Sequence, residues 1–410
     1  MSDAQAREPQ TPGTTGLIFE EPVIFEMGSP GRKAYSLPSC DVPEVEIETL
    51  LPPGEIRDAI DYLPELTELD VVRHFTRLSQ WNFNIDTNFY PLGSCTMKYN
   101  PKINNEIAAL PGFAQHHPYT PEALSQGSLQ LMFELQEQLK EISGMAHVSL
   151  QPAAGAQGEL TGMLMIHAYH AAKGTQRKKV ILPDSAHGTN PASANLCGYS
   201  VVQIQSDEYG RIDPGKLESV MDGETAAIML TNPNTLGMFE TDILKITEIV
   251  HKKGGLVYCD GANLNAVMGK TKISTMGIDV LHFNLHKTFS TPHGGGGPGA
   301  GPVGIVSKLE PFLPKPTIEH KNGKYILNHD RPSSIGKMKA FYGNFGILVR
   351  AYTYIRSLGP EGIKQVAEMA VLNANYVKAS LGEHYHLPYK GPSLHECVFN
   401  DKHQLRNKVS

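Results

Sequence analysis

The feature that most constrains the fold is an alternation of short apolar runs with amphipathic segments between residues 179 and 284. The apolar runs are KVILP (179–183), SVVQI (200–204), AAIMLTNPNT (226–235), LVYCDGAN (256–263) and DVLHFN (279–284). One intervening segment, residues 241–253, has helical spacing, with Thr241 or Asp242 able to cap its start and Gly254 able to end it. Strands that alternate with helices form a mainly parallel sheet with helices on both faces. The sequence therefore predicts an α/β fold.

The rest of the chain predicts three regions. Residues 1–75 are rich in Pro, Glu and short apolar groups, which is typical of an extended arm on another surface. Residues 76–310 form the predicted large domain and include a helix within 125–143 that ends at Gly144. Residues 311–410 are predicted to hold a linker, a long helix within 334–359, and an incomplete C-terminal α+β domain that begins with a strand-like run.

Composition excludes several classes of protein. A net charge of −6 without a long Lys/Arg block argues against nucleic acid as a partner. No stretch of about 18 apolar residues is present, so we expect no membrane association. Five widely spaced cysteines with no CxxC pair are typical of a reducing compartment, and we expect a cytoplasmic protein.

Two polar residues follow neighbouring apolar runs and are candidates for one site. Lys287 comes after DVLHFN, where a partly desolvated amine can form a Schiff base; a surface lysine is the alternative. Asp260 ends LVYCD and is followed by the small residues Gly261 and Ala262, over which a flat ring can lie. A carboxylate in this position can keep a pyridinium nitrogen protonated, although Asp before Gly also starts turns. Because ligands bind at the carboxyl ends of parallel strands, we expect both residues in one crevice.

Two further segments complete this candidate site. His187 follows the strand predicted at 180–182, where its ring can stack on a cofactor or serve only a structural role. AAGAQG (153–158), with Ala154, Gly155 and Ala156, opens a helix whose free N–H groups can bind phosphate, although small residues there also serve packing. We predict no metal site, because His282 and His286 would not share a face if His282 lies in a strand.

The residues together resemble a known family. HFNLHKTFSTPHGGGGPGAGPVG, LPDSAHGTNPASA, QPAAGAQGE, PLGSCTMKYNP and SIGKMKAFYGNFGILVRAYTYI are similar to segments of the glycine-cleavage P-protein, glycine dehydrogenase (decarboxylating). Within that family the chain resembles the second, catalytic subunit of the two-subunit form. The likeness runs from about residue 80 to about residue 380.

The resemblance implies a fold-type I enzyme that uses pyridoxal 5'-phosphate. It implies Lys287 as the lysine that binds the cofactor, with His187 also catalytic, and Asn284 within the cofactor-binding set. It further implies that glycine loses its carboxylate as CO2 and that the aminomethyl group passes to the lipoylated H-protein. The implied assembly is α2β2, with subunit 1 of the P-protein as partner.

Other expectations follow from the same segments. Four glycines at 294–297 would let their loop pass close to the cofactor or a channel, and Ser94, Cys95 and Thr96 would lie near the substrate, although Cys95 is equally suited to a buried position. Members of the family continue well past the segment that corresponds to residues 395–397. The polar end DKHQLRNKVS does not resemble that continuation, so a truncated or frame-shifted product is one interpretation. The alternatives are therefore another fold-type I enzyme, such as an aminotransferase or a desulfurase, and a non-catalytic structural subunit.

Overall fold

The computed structural model describes residues 21–406 except 58–59, 61, 83–84, 88–98, 294–298 and 390. The chain divides into two compact units, residues 1–92 and residues 93–410. Among the described residues, no helix is both long enough and apolar enough to cross a membrane.

The described part of the first unit has almost no core of its own. It contains three single 3-10 turns and one helix, α1 (Glu68–Trp81). Thr67 begins α1 with a capping box, because its hydroxyl accepts from the Asp70 N–H while the Asp70 carboxylate accepts from the Thr67 N–H. Of its described residues only Leu66 and His74 are buried, and apolar side chains such as Leu37 are exposed.

The second unit is built on a seven-stranded sheet with the order β1-β7-β6-β5-β4-β2-β3. Its strands are β1 (His147–Ser149), β2 (Lys179–Pro183), β3 (Ser200–Ile204), β4 (Thr225–Thr231), β5 (Leu256–Gly261), β6 (Val280–Phe283) and β7 (Val303–Ile305). The five strands β2 to β6 pair in parallel, and β7 pairs antiparallel with both β6 and β1. The predicted mainly parallel sheet is confirmed, and each of the five apolar runs forms a strand.

Helices and one hairpin complete the second unit. The helices are α2 (Lys102–Ala108), α3 (Pro111–Ala114), α4 (Gln126–Ser143), α5 (Gly155–Ala172), α6 (Thr189–Leu196), α7 (Pro214–Val220), α8 (Ile243–Lys252), α9 (Leu285–Thr288), α10 (Phe345–Leu381) and α11 (Lys402–Arg406). The hairpin consists of β8 (Thr317–Lys321) and β9 (Lys324–Asn328). Gly144 ends α4 in the left-handed conformation, as its position in the sequence predicts.

Both faces of the sheet are covered, because alternate residues of each central strand enter different cores. Ile228 and Val257 point to one core, which α4, α8 and α10 also line. Met229 and Tyr258, the next residues along β4 and β5, point to the other core, which α5 and α6 cover. Apolar runs buried on both faces are typical of parallel sheets. Packing on both faces therefore fixes the positions of the strands in the sheet, and it also fixes the residues that directly follow the strands.

Two local expectations were wrong or incomplete. The long helix begins at Phe345 and not within 334–344, because Phe341 and Gly343 have positive φ and interrupt a regular helix. A Cβ on Gly343 would lie 2.7 Å from the Leu150 carbonyl oxygen, so the chain there follows β1 closely. Asp242 does precede α8, but its side chain makes no capping hydrogen bond.

The C-terminal segment also differs from expectation. The strand-like run after residue 386 does not form a strand in the described part of the chain; one isolated bridge joins His386 to Asn400. The short helix α11 follows this bridge. The segment instead packs on the large sheet unit, where the Leu394 N–H donates to the Gly237 carbonyl.

Candidate active site

All eight predicted site residues line one cavity of about 300 Å³. They are Ala154, Gly155, Ala156, His187, Asp260, Ala262, Asn284 and Lys287. The cavity lies beyond the carboxyl ends of β2, β5 and β6, where a doubly covered parallel sheet binds its ligands. The structure thus brings these residues together, and the chemical roles assigned to them stay predictions.

Asp260 is a buried carboxylate held in a fixed position near the end of β5. Its side chain is 3% exposed. The Oδ1 atom accepts a hydrogen bond of 2.9 Å from the Ala262 N–H and lies 3.4 Å from His282 Nε2. These contacts leave little freedom for the carboxylate to turn away from the cavity.

His282 supports this carboxylate from the neighbouring strand β6. Its ring is fully buried, with Nδ1 2.5 Å from the Tyr258 hydroxyl and Nε2 2.9 Å from the Asn284 amide nitrogen. Burial lowers the pKa of His282, although the nearby Asp260 carboxylate acts in the opposite direction. A neutral imidazole therefore links the Tyr258 hydroxyl to the Asp260 carboxylate and the Asn284 amide.

The start of α5 offers backbone N–H groups to the same cavity. Its N-cap, Ala154, has extended backbone, and no side chain of the described residues caps the helix. Ala153 N–H is satisfied by Gln157 Oε1 at 2.6 Å, one residue before the cap. The first N–H groups of a helix lack intrahelical partners and attract anions. The uncapped start of α5 is therefore suited to a phosphate group.

Glycine at position 155 is required by close packing. A Cβ there would lie 2.3 Å from Asn284 Oδ1, which has no room to withdraw because Asn284 also contacts His282. A Cβ on Gly301 would lie 2.2 Å from the Ala154 carbonyl oxygen. The small residues of AAGAQG thus serve both packing and the open approach to the helix start.

Lys287 lies in α9, the single helical turn that directly follows β6. Asn284 precedes this turn, and the Lys287 N–H donates to the Asn284 carbonyl at 3.0 Å. The rings of His286 and His293 meet edge to face with their centroids 4.5 Å apart, and both residues also line the cavity. Burial is the main cause of both pKa shifts nearby, raising the pKa of Glu159 and lowering that of His282, and the charge of Lys287 acts to lower both.

Glu159 is a cavity residue that the sequence analysis missed. It is 4% exposed, its Oε1 accepts 2.8 Å from the Thr189 hydroxyl, and its Oε2 has no partner among the described residues. Burial raises the pKa of Glu159 to about 7, and the Asp260 charge adds to this effect. A signal was available, because Glu159 is the only acidic residue in α5, a helix otherwise composed of apolar, small and neutral polar residues.

Two predicted segments fall outside the described residues. These are Ser94, Cys95 and Thr96, and the four glycines at 294–297. Their proposed proximity to substrate and cofactor stays a prediction.

The sequence matches a family model and many curated proteins. The model for aminotransferase class V matches residues 159–297, which include Asp260 and Lys287. Probable glycine dehydrogenase (decarboxylating) subunit 2 from Desulforamulus reducens is 56% identical over 95% of this chain and 80% of its own length. The protein of the same description from Bacillus licheniformis is also 56% identical, over 94% of this chain and 80% of its own length.

Solved structures show the same fold. Glycine decarboxylase (P-protein) of the glycine cleavage system, in an inhibitor-bound form, superposes with a TM-score of 0.70 at 22% identity, covering 85% of this chain and 80% of that one. A cysteine desulfurase from Thermococcus onnurineus superposes with a TM-score of 0.55 at 17% identity, covering 74% and 76%. The expected fold of the fold-type I pyridoxal phosphate enzymes is confirmed. Aminotransferases and desulfurases share this fold, so the fold alone does not distinguish among these enzymes. The sequence identity extends over nearly the whole chain and does distinguish them: the chain belongs to the glycine dehydrogenase (decarboxylating) subunit 2 family.

Proposed function

We propose that this chain is the pyridoxal phosphate-binding subunit of a glycine dehydrogenase (decarboxylating) and acts on glycine. The observation that carries the proposal is the single cavity in which Lys287, Asp260 and the uncapped start of α5 meet. Membership of the family supports the choice of glycine as substrate.

The residues present fit pyridoxal phosphate on four counts. The cavity of about 300 Å³ has the size of a small cofactor site. The start of α5 supplies N–H groups for a phosphate, and Gly155 and Ala156 allow it close. The buried Asp260 carboxylate, which lines the same cavity, provides a negative charge for a protonated ring nitrogen. Lys287 supplies the amine for covalent attachment.

When bound, pyridoxal phosphate supplies an electron sink for the electron pair that remains on the α-carbon of glycine when the carboxylate leaves as CO2. The chain's own residues prepare the cavity for that chemistry. Asp260 is kept in position by the Ala262 N–H and by His282, so its charge remains near the ring nitrogen throughout the reaction. When the cofactor binds, His187 would stack on its ring, and Ala262 and Asn284 would help to hold it in the cavity.

The partners are part of the proposal. We infer that the aminomethyl group passes to the lipoyl arm of an H-protein and that the chain assembles with P-protein subunit 1 as α2β2, in the cytoplasm. The name of the relatives, which specifies a second subunit, supports a first one. Four cysteines among the described residues are free thiols, which suits a reducing compartment.

Exchange of the glycine carboxyl group with labelled bicarbonate tests this proposal. The chain would be co-expressed with a candidate first subunit, loaded with pyridoxal phosphate and mixed with lipoylated H-protein. We expect exchange that requires all three components and that is lost in Lys287→Ala. Transamination of glycine without lipoate and without exchange would contradict the proposal and favour an aminotransferase. Absence of any reaction, with no cofactor on Lys287, would favour a structural subunit.

A further inference from the structure

Three side chains form a hydrogen-bonded line from the buried end of the cavity to its open side. Thr189 Oγ1 lies 2.8 Å from Glu159 Oε1 and 2.7 Å from His187 Nδ1. Glu159 is buried and His187 is exposed. Glu159 belongs to α5 and Thr189 opens α6, two helices that pack against each other on one face of the sheet. The line therefore joins a buried acid to an imidazole at the cavity mouth through one hydroxyl group.

A hydroxyl group has one proton to donate, so this line has two possible arrangements. In the first, protonated Glu159 donates to Thr189, and Thr189 donates to His187 Nδ1. In the second, ionised Glu159 accepts from Thr189, and His187 Nδ1–H donates to Thr189. The backbone N–H of Thr189, 3.4 Å from His187 Nδ1, favours the first arrangement because it also needs Nδ1 as an acceptor.

The surroundings of Glu159 allow both arrangements near neutral pH. Burial and the nearby Asp260 carboxylate raise its pKa, the Thr189 hydrogen bond and Lys287 lower it, and the resulting pKa is about 7. The other titratable groups against it are His282, whose nitrogen lies within 4.8 Å of the carboxylate oxygens of both acids, and Tyr258. On the cavity side His286 and His293 join His187 and Lys287.

We propose that Glu159, Thr189 and His187 form a proton relay, in which Glu159 is a positioning residue that stores a proton for the His187 ring. In one transfer the O–H bond of Glu159 breaks as its proton joins Thr189 Oγ1, while the original hydroxyl proton of Thr189 passes to His187 Nδ1. Glu159 ends as a carboxylate, His187 gains one positive charge, and Thr189 is unchanged. The reverse transfer restores the starting state, so protons and charge balance.

This inference deepens the proposed function, because it rests on His187 facing the bound cofactor and substrate. A relay of this kind would let the exposed ring receive or return a proton without drawing it from the solvent. The relay also gives a functional reason for Glu159, because burying a carboxyl group next to Asp260 costs folding free energy.

The tautomer of His187 tests the relay without any turnover. The full-length, cofactor-loaded protein would be labelled with 15N-histidine, and the His187 ring signals would be assigned by their absence in His187→Gln. At about pH 8.5, above the pKa of Glu159 of about 7, we expect the proton on Nδ1 and none on Nε2. Thr189→Val removes the hydroxyl group but keeps the backbone N–H, so its His187 should carry the proton on Nε2. Thr189→Ser should match the wild type.

A second variant guards against misfolding of the first. Glu159→Gln cannot ionise, and its amide can donate to Thr189 at every pH, so His187 should remain protonated on Nε2 at about pH 8.5. A wild type with Nε2–H at this pH, or a Thr189→Val protein that retains Nδ1–H, would overturn the relay. The relay can fail in this experiment while Lys287 still binds the cofactor, so its failure is distinguishable from failure of the proposed function.

Discussion

Asp260 and His282 are direct register partners on the paired strands β5 and β6, and their side chains meet 3.4 Å apart beneath the cavity. The pair puts a carboxylate and a neutral imidazole into the interior, where the imidazole is fully buried and the carboxylate is only 3% exposed. Tyr258 and Asn284 hold the imidazole from its two nitrogens. The negative charge at position 260 is thus fixed by the sheet itself and does not depend on a mobile loop.

Replacing Asp260 with Asn tests the role of this charge. Asp260→Asn keeps the shape of the side chain but removes the carboxylate, so the cofactor should still bind while glycine–bicarbonate exchange slows by about 100-fold or more. The measurement is the exchange rate of cofactor-saturated protein. Asp242→Asn, at an exposed position whose side chain makes no capping bond, is the matched control and should be unaffected. Unchanged exchange in Asp260→Asn would show that the ring nitrogen is held by another group.

Replacing Gly155 with Ala tests the close approach at the start of α5. The added Cβ would lie 2.3 Å from Asn284 Oδ1, so we expect a loss of about 1–3 kcal/mol in the free energy of unfolding and weaker cofactor binding. Thermal unfolding and a cofactor titration measure the two effects. Gly127→Ala, in the first turn of α4 with nothing within 4 Å, should leave both unchanged or raise stability slightly. Equal behaviour of the two variants would rule out the steric argument.

Replacing His187 separates stacking from proton transfer. His187→Phe keeps a flat ring and should retain most of the cofactor affinity. His187→Ala should bind the cofactor roughly 3- to 10-fold more weakly, because it loses an aromatic contact worth about 0.5–1.5 kcal/mol. Neither variant has an Nδ1 atom, so neither can take part in the relay. Equilibrium cofactor titrations provide the comparison. If the two variants bind the cofactor equally well, His187 does not stack on it.

Glu240 predicts a pH dependence of stability away from the cavity. Burial raises its pKa to about 7, although its carboxylate accepts from the Ile212 N–H at 3.0 Å and the Asn234 amide at 3.3 Å. Because the folded pKa lies above the usual 4.5, the native state favours protonated Glu240, and this stabilisation is lost as the pH rises from about 4.5 through about 7. Relative to Glu240→Gln, the wild type should therefore lose about 3 kcal/mol across that window.

Urea unfolding at several pH values measures this difference. Glu248→Gln, an exposed residue of α8, is the control and should give a curve parallel to that of the wild type. Parallel curves for Glu240→Gln and the wild type would show that Glu240 titrates normally in the folded protein.

The sequence predicts those parts of the fold and site that depend on local patterns. Asp260 and Lys287 are placed correctly because each follows an apolar run, and runs buried on both faces form neighbouring parallel strands. The start of α5 is placed correctly because a small-residue loop precedes a long helical segment.

The remaining features depend on contacts between distant segments. Glu159 has its polar surroundings because α6 and β5 bring Thr189 and Asp260 beside it, and α5 shows no such partner in its own sequence. The stretch before α10 is irregular because Gly343 must pass the Leu150 carbonyl, a contact between residues almost 200 positions apart. The spacing of apolar residues within one segment carries no information about either of these long-range contacts.

Covalent capture of the cofactor shows directly whether Lys287 is its attachment site. Cofactor-saturated protein would be reduced with borohydride and digested, and the peptides would be mapped by mass spectrometry. We expect a pyridoxyl group on Lys287 and none elsewhere, and no stable adduct in Lys287→Ala. An unmodified Lys287 in saturated protein, or the same adduct in both proteins, would contradict this expectation.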